Sequence, residues 1–144
     1  MKSLNFISIF CQQVSFRQEA NSLEDINGIA DAFVVDENNV AELCTVTLVN
    51  GIVEESGKLI FILEAENGQE LAMGDFELQK SEGDTPVRVD LKYVFQIDIP
   101  FPTNGRYRLN VHFIPKTTIT DVNKIRLDTD SIVHHNGFTI SGVN

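Results

Sequence analysis

Side chains able to do chemistry are few in this chain and widely spaced. Asp128-Thr129-Asp130-Ser131 sets two carboxylates at i and i+2, on one side of an extended backbone, and hard oxygen ligands of that kind suit Ca²⁺. The EF-hand pattern is absent, because no Gly and closing Glu follow at the required spacing. Asp128 and Asp130 are therefore secondary metal candidates, set against the plainer reading of an acidic turn or strand edge. The histidines are His112, His134 and His135. Adjacent residues of a strand point to opposite faces, so His134 and His135 are not expected to chelate one ion together. His112 falls on the polar side of an alternating strand and reads as a solvent-facing structural residue. No G-x-S-x-G motif occurs, and no phosphate-binding G-x-x-x-x-G-K or G-x-G-x-x-G. The chain is expected to work without a catalytic centre, metal or cofactor.

Aromatic residues raise a different possibility, that of binding surfaces. Trp is absent and the two tyrosines, Tyr93 and Tyr107, occupy apolar strand positions, which argues against a sugar-binding platform. Phe101, flanked by Pro100 and Pro102, is a candidate anchor for a partner, although capping one end of the core is the favoured alternative. Phe138 and Ile140 belong to the uncharged stretch Asn136 to Val143, the least guarded against strand pairing with another chain. They are candidates for a subunit interface, with closure of their own sandwich the preferred outcome.

The elements carrying these residues read as strands. Val87, Val89, Leu91, Tyr93, Phe95, Ile97 and Ile99 alternate with Arg88, Asp90, Lys92, Val94, Gln96 and Asp98, a period of two broken only by Val94. Tyr107, Leu109, Val111 and Phe113 repeat the pattern, and Cys44, Val46 and Leu48 form another alternating set. Leu59 to Leu63 is continuously apolar and Phe6 to Cys11 is apolar apart from Ser8, and runs of that kind suit strands covered on both faces or crossing a sandwich centre. Asn-Gly pairs at 27–28, 50–51, 67–68, 104–105 and 136–137 punctuate the runs, and the pair at 67–68 is the best hairpin candidate. The pair at 27–28 is alternatively a bulge. Only Ser22 to Asp31 looks helical, with Ser22 as a cap, and Gly28 weakens it. Tyr107 follows the turn-prone connection Pro100 to Asn104, which fits a tyrosine that folds back to hydrogen-bond backbone upstream in a Greek-key sandwich. The expected fold is an all-β, Greek-key-like antiparallel sandwich of about seven to nine strands in one domain, residues 1–144.

Composition bounds the function classes. With 144 residues, 42% apolar side chains, ten Phe and a mean hydropathy of −0.04, the chain has enough bulk for a packed core. Its formal net charge of −10 and pI near 4.6 disfavour nucleic acid and anionic membrane surfaces as partners. Much of the acidity lies in turn-like segments such as Asp36 to Asn39 and Ser81 to Asp84. The opening residues Met1 to Gln13 are not expected to be a secretion signal, because Asn5 and Ser8 interrupt the apolar run and bulky Phe10 stands where cleavage needs a small residue. No stretch approaches the roughly 20 apolar residues of a membrane span. Cys11 and Cys44, both in apolar runs, are expected to be buried free thiols in a reduced, cytoplasmic protein, with a single bridge between them as the alternative.

Four stretches carry a family resemblance: NFISIFC (Asn5 to Cys11), INGIADAF (Ile26 to Phe33), SGKLIFILEAENGQEL (Ser56 to Leu71) and PFPTNGRY (Pro100 to Tyr107). Together they resemble an uncharacterised family of short bacterial and phage-encoded all-β domains. The chain departs from that pattern in an insertion, Gln18 to Asp25, and in its tail from Thr117 onward. The resemblance implies a fold and carries no activity or ligand residues. The combined expectation is a non-enzymatic binding or structural module acting through protein partners or self-association, in a phage or bacterial-defence setting. The alternatives are a module for carbohydrate or Ca²⁺ and a hydrolase with an unrecognised site.

Overall fold

The computed structural model describes residues 3–17, 22–80, 82–83, 85–116 and 129–144. Ten strands are present among them: β1 (Leu4–Cys11), β2 (Gln13–Arg17), β3 (Ser22–Asn27), β4 (Ala32–Val34), β5 (Cys44–Ile52), β6 (Gly57–Ala65), β7 (Glu70–Leu78), β8 (Arg88–Gln96), β9 (Gly105–Pro115) and β10 (Ile132–Ser141). The fold is an all-β sandwich. One sheet has the order β1-β5-β8, the facing sheet β4-β10-β9-β6-β7, and β2-β3 form a separate two-stranded ribbon. The chain crosses between the facing sheets at β4–β5, β5–β6, β7–β8 and β8–β9, which is the Greek-key character expected. All pairings are antiparallel except that of β4 with β10, which is parallel and sets Phe33 opposite Ile140. No helix among the described residues is long and apolar enough to cross a membrane.

Local sequence accounts for most elements. In β6, Leu59 to Leu63 are all buried, as a continuous apolar run requires of a strand covered on both faces. The β6–β7 hairpin turns at Asn67-Gly68, where Gly68 adopts a φ of 89° and Asn67 Oδ1 accepts the Gln69 amide at 2.9 Å. In β8, Val89, Leu91, Tyr93 and Phe95 all turn toward the main core, following their period of two.

Several expectations fail for nonlocal reasons. Ser22 to Asn27 is strand β3 rather than helix, paired with β2, and its Ile26 packs with Val14 against Cys11, Cys44 and Val46. The irregularity in that ribbon lies between Ser15 and Phe16 and their partners, not at Asn27-Gly28. Asn50-Gly51 and Asn136-Gly137 lie inside β5 and β10 instead of forming turns. Ile7, in a run expected to be covered on both faces, is 53% exposed, while the Cys11 end of the same strand is buried in the cluster with Val14 and Ile26. His112 is buried rather than wet. Its neighbours across β6 include Ile60 and Ile62, also buried, and its Nδ1 lies 2.7 Å from Ser131 Oγ.

The tyrosine after the Pro100 to Asn104 connection forms the expected corner. Tyr107 Oη donates to the Thr103 carbonyl at 2.6 Å and accepts the Thr103 amide at 3.2 Å, while the ring is buried against Phe101 at 4.9 Å. A buried hydroxyl bonded in this way stabilises by about 1 kcal/mol net. Tyr107→Phe should lower the unfolding free energy by that amount, read as a lower midpoint of denaturant unfolding with an unchanged slope, because packing is retained and only the hydroxyl is lost. An unaltered midpoint would show that the corner contributes nothing to stability.

Candidate functional site

The two flanks of the sandwich differ in chemistry. On one flank β1 faces β10 through a polar seam. Ser8 Oγ lies 2.8 Å from Thr47 Oγ1 and 2.9 Å from His134 Nε2, and Asn136 Nδ2 donates to the Ser8 carbonyl at 2.9 Å. His134 stacks on Phe6, with ring centroids 5.8 Å apart. A serine beside an imidazole is half of a nucleophilic site. Here Ser8 is buried, its hydroxyl is shared with Thr47, and no carboxylate among the described residues is hydrogen-bonded to His134 to orient it as a base. The arrangement joins the sheets by hydrogen bonds across the interior. His135, the next residue, is exposed, so the two rings do separate to opposite sides.

On the other flank the sheet edges β7 and β8 meet through aromatic rings. Phe76 lies 4.6 Å from Tyr93 and 5.7 Å from Phe95, and Phe61 lies 5.1 and 5.2 Å from the same two. Burial raises the Tyr93 phenol above its ordinary value and keeps it neutral. Gly74 makes this contact possible, because a Cβ there would come within 2.9 Å of Phe95 Cε1. Beside the ring cluster a cleft of about 110 Å³ enters the interior, lined by Thr45, Phe61, Leu63, Ala72, Met73, Gly74, Phe95, Gln96, Ile97 and Leu109. Thr45 Oγ1 is buried there without a hydrogen-bond partner. At the mouth Met73 is 68% exposed.

The residues singled out from sequence are not gathered at either flank. Phe101, Phe138 and Ile140 are 0%, 0% and 1% exposed, so these partner-binding candidates are interior. Phe101 caps the core against Tyr107, and Phe138 and Ile140 close the sandwich of their own chain by pairing β10 with β9 and β4. Asp130 is exposed in the 3₁₀ turn Thr129–Ser131, and Asp128 lies outside the described residues. Among the described residues no cluster of three or more His, Cys, Asp or Glu is placed to hold a metal ion. Cys11 and Cys44 are free and buried, directly opposite in the β1–β5 register, but outside the main core, under β2 and β3. Burial raises both thiols, with the neighbouring Cys44 adding to the effect on Cys11 and Asp98 and Glu42 to that on Cys44.

Sequence reasoning missed Ser8, Thr45 and Thr47. The signal was the i, i+2 spacing of the two threonines in β5, which puts both hydroxyls on one face. That face is interior, and Cys44 and Val46 point instead toward the β2–β3 ribbon.

Burial, with a smaller contribution from His135, holds the His134 imidazole below its usual range. A histidine whose folded-state value is depressed binds fewer protons folded than unfolded, so stability is full above the unfolded value of about 6.5 and falls as the pH drops below it. Wild type should therefore lose more thermal stability between pH 7.5 and 5.5 than His134→Gln, and equal losses would show that His134 does not contribute to the acid sensitivity.

No family model matches this chain, and no curated protein or solved structure matches it either.

Proposed function

We propose that this chain is a non-enzymatic binding module of the cytoplasm that acts through protein–protein contacts, offering the β7 edge to an extended, basic segment of a partner. The carrying observation is the composition of that edge. Among the described residues strand β7 pairs only with β6, and it bears Glu70, Asp75 and Glu77 with no Lys or Arg. Met73 is exposed on the same face as Asp75 and Glu77, which supplies apolar contact beside the charges. Asp75 pairs with Lys58 of its own sheet at 3.2 Å. An open edge presents unpaired backbone groups for strand addition. Two copies of this acidic edge would set like charges against each other, so a basic partner is preferred to self-pairing. The free thiols Cys11 and Cys44 support a reducing compartment. The partner would be a phage structural component or a bacterial-defence protein, and neighbouring genes distinguish these settings.

Selection of displayed random peptides on the immobilised protein tests the reading. Enriched peptides should carry Lys or Arg at alternate positions, weaken as salt rises, and lose binding to the Asp75→Lys, Glu77→Lys double variant. A selection that enriches nothing, or peptides indifferent to the double variant, would remove the β7 edge as the binding surface.

A further inference from the structure

Cys11 and Cys44 are the only cysteines of the chain and stand directly opposite each other, as the last residue of β1 and the first of β5. Their pairing type follows from the register. The Ser3 carbonyl accepts the Ile52 amide at 3.0 Å, and the register runs unbroken from Leu4 opposite Gly51 to Cys11 opposite Cys44, so alternation makes the cysteines another hydrogen-bonded pair. Such a pair has Cα atoms about 5.5 Å apart, inside the roughly 4.4–6.8 Å that a disulfide spans. Both side chains point to the face under the β2–β3 ribbon, and Cys11 Sγ leans across the ladder to 3.8 Å from the Cys44 carbonyl oxygen. The cover is slight. Among the described residues β2 and β3 pair only with each other, and they rest on the thiols through Val14 and Ile26, both half-buried. A two-stranded ribbon is marginally stable alone, so this one can open locally without unfolding the sandwich.

We propose that Cys11 and Cys44 form a reversible oxidative modification site, bridged by a hydroperoxide when the β2–β3 ribbon opens. Cys44 is 8% exposed and Cys11 0%, so Cys44 meets the oxidant first and Cys11 needs no access of its own. With hydrogen peroxide, the Cys44 thiolate attacks one oxygen and the O–O bond breaks, leaving a sulfenic acid and a first water. The Cys11 sulfur then attacks the Cys44 sulfur, the S–S bond forms, and the displaced hydroxide leaves with the Cys11 proton as a second water. The two thiols together lose the two electrons that reduce the peroxide. A small neutral oxidant suits the site, because Asp98 and Glu42 act on Cys44 and oppose anionic ones such as glutathione disulfide. Burial keeps both thiols protonated while the ribbon is closed, which protects the reduced state. Opposed Cβ atoms lie about 4.5–5.5 Å apart across a ladder and about 3.5–4.5 Å apart in a disulfide, so the bridge draws the strand ends together under strain and stays easily reduced. The loop it closes, residues 12–43, contains β2, β3 and β4, and the site shares no residue with the β7 edge.

Treatment of the reduced full chain with hydrogen peroxide, followed by intact mass and non-reducing peptide mapping, tests the site. Each monomer should lose two hydrogens, with the Cys11 and Cys44 peptides joined, at a rate independent of protein concentration, and dithiothreitol should restore both thiols. Ile26→Ala, which thins the cover, should speed bridging severalfold. Tyr107→Phe, which weakens the sandwich away from the ribbon, should leave the rate unchanged, and this separates local opening from global unfolding. In Cys11→Ser the reaction should stop at the Cys44 sulfenic acid, captured by dimedone. Thiols that persist in the wild type, disulfides between chains, oxidised cysteines without a bridge, or equal acceleration by Ile26→Ala and Tyr107→Phe would each overturn the assignment.

Discussion

The sandwich is organised around the ring of Phe138. Its centroid lies 4.9 Å from Phe10, 6.0 Å from Phe33, 6.1 Å from Phe101 and 5.9 Å from Tyr107. Those four partners come from β1, β4, the β8–β9 connection and β9, so one side chain ties together both sheets and the crossover between them. Aromatic pairs contribute roughly 0.5–1.5 kcal/mol each beyond the area they bury. The Tyr107 hydrogen bond to Thr103 holds the connection in the shape that brings Phe101 into this cluster. Prolines on either side of Phe101 therefore serve interior packing, and the loop that looked able to reach outward is committed to the core.

Away from that centre the flanks divide the tasks of closure and access. The seam of Thr47, Ser8, His134 and Asn136 satisfies polar groups across the sheets, and a bonded network of this kind fixes one relative placement of β1 and β10. The β7–β8 flank is joined by aromatic rings, whose contacts are less directional, and a cleft lies beside them. Directional bonding seals one side, and nondirectional packing leaves the other adjustable.

Much of the fold was legible because it depends on local chemistry. The alternation in β8, the doubly covered run of β6, the turn at Asn67-Gly68 and the corner at Tyr107 each follow from residues within a few positions of one another. The functional surfaces depend on which faces meet. In β5 the more apolar row, Cys44 with Val46, turns away from the main core, and the hydroxyl row Thr45 with Thr47 turns into it. Hydropathy alone would choose the opposite orientation. What reverses it is the β2–β3 ribbon, whose Val14 and Ile26 cover the apolar row from a distant part of the chain. Ser8 and His134 likewise meet only after β1 and β10 are brought together, so no spacing in sequence could have paired them.

The parallel pairing of β4 with β10 has a consequence for how the chain reaches this state. Phe33 sits opposite Ile140, and the Asp31 carbonyl accepts the Thr139 amide at 2.8 Å. During synthesis the early strand must wait, its Phe33 side chain short of its Ile140 partner, until β10 has left the ribosome. Closing so long a loop is entropically demanding and belongs to the slow class of nonlocal β topologies. The β6–β7 hairpin can form early from neighbouring residues, whereas the sheet edge at β4 is completed last. Nascent chains stalled before β10 would thus expose Phe10, Phe33 and Tyr107 together, an aromatic surface suited to chaperone capture and, unprotected, to aggregation.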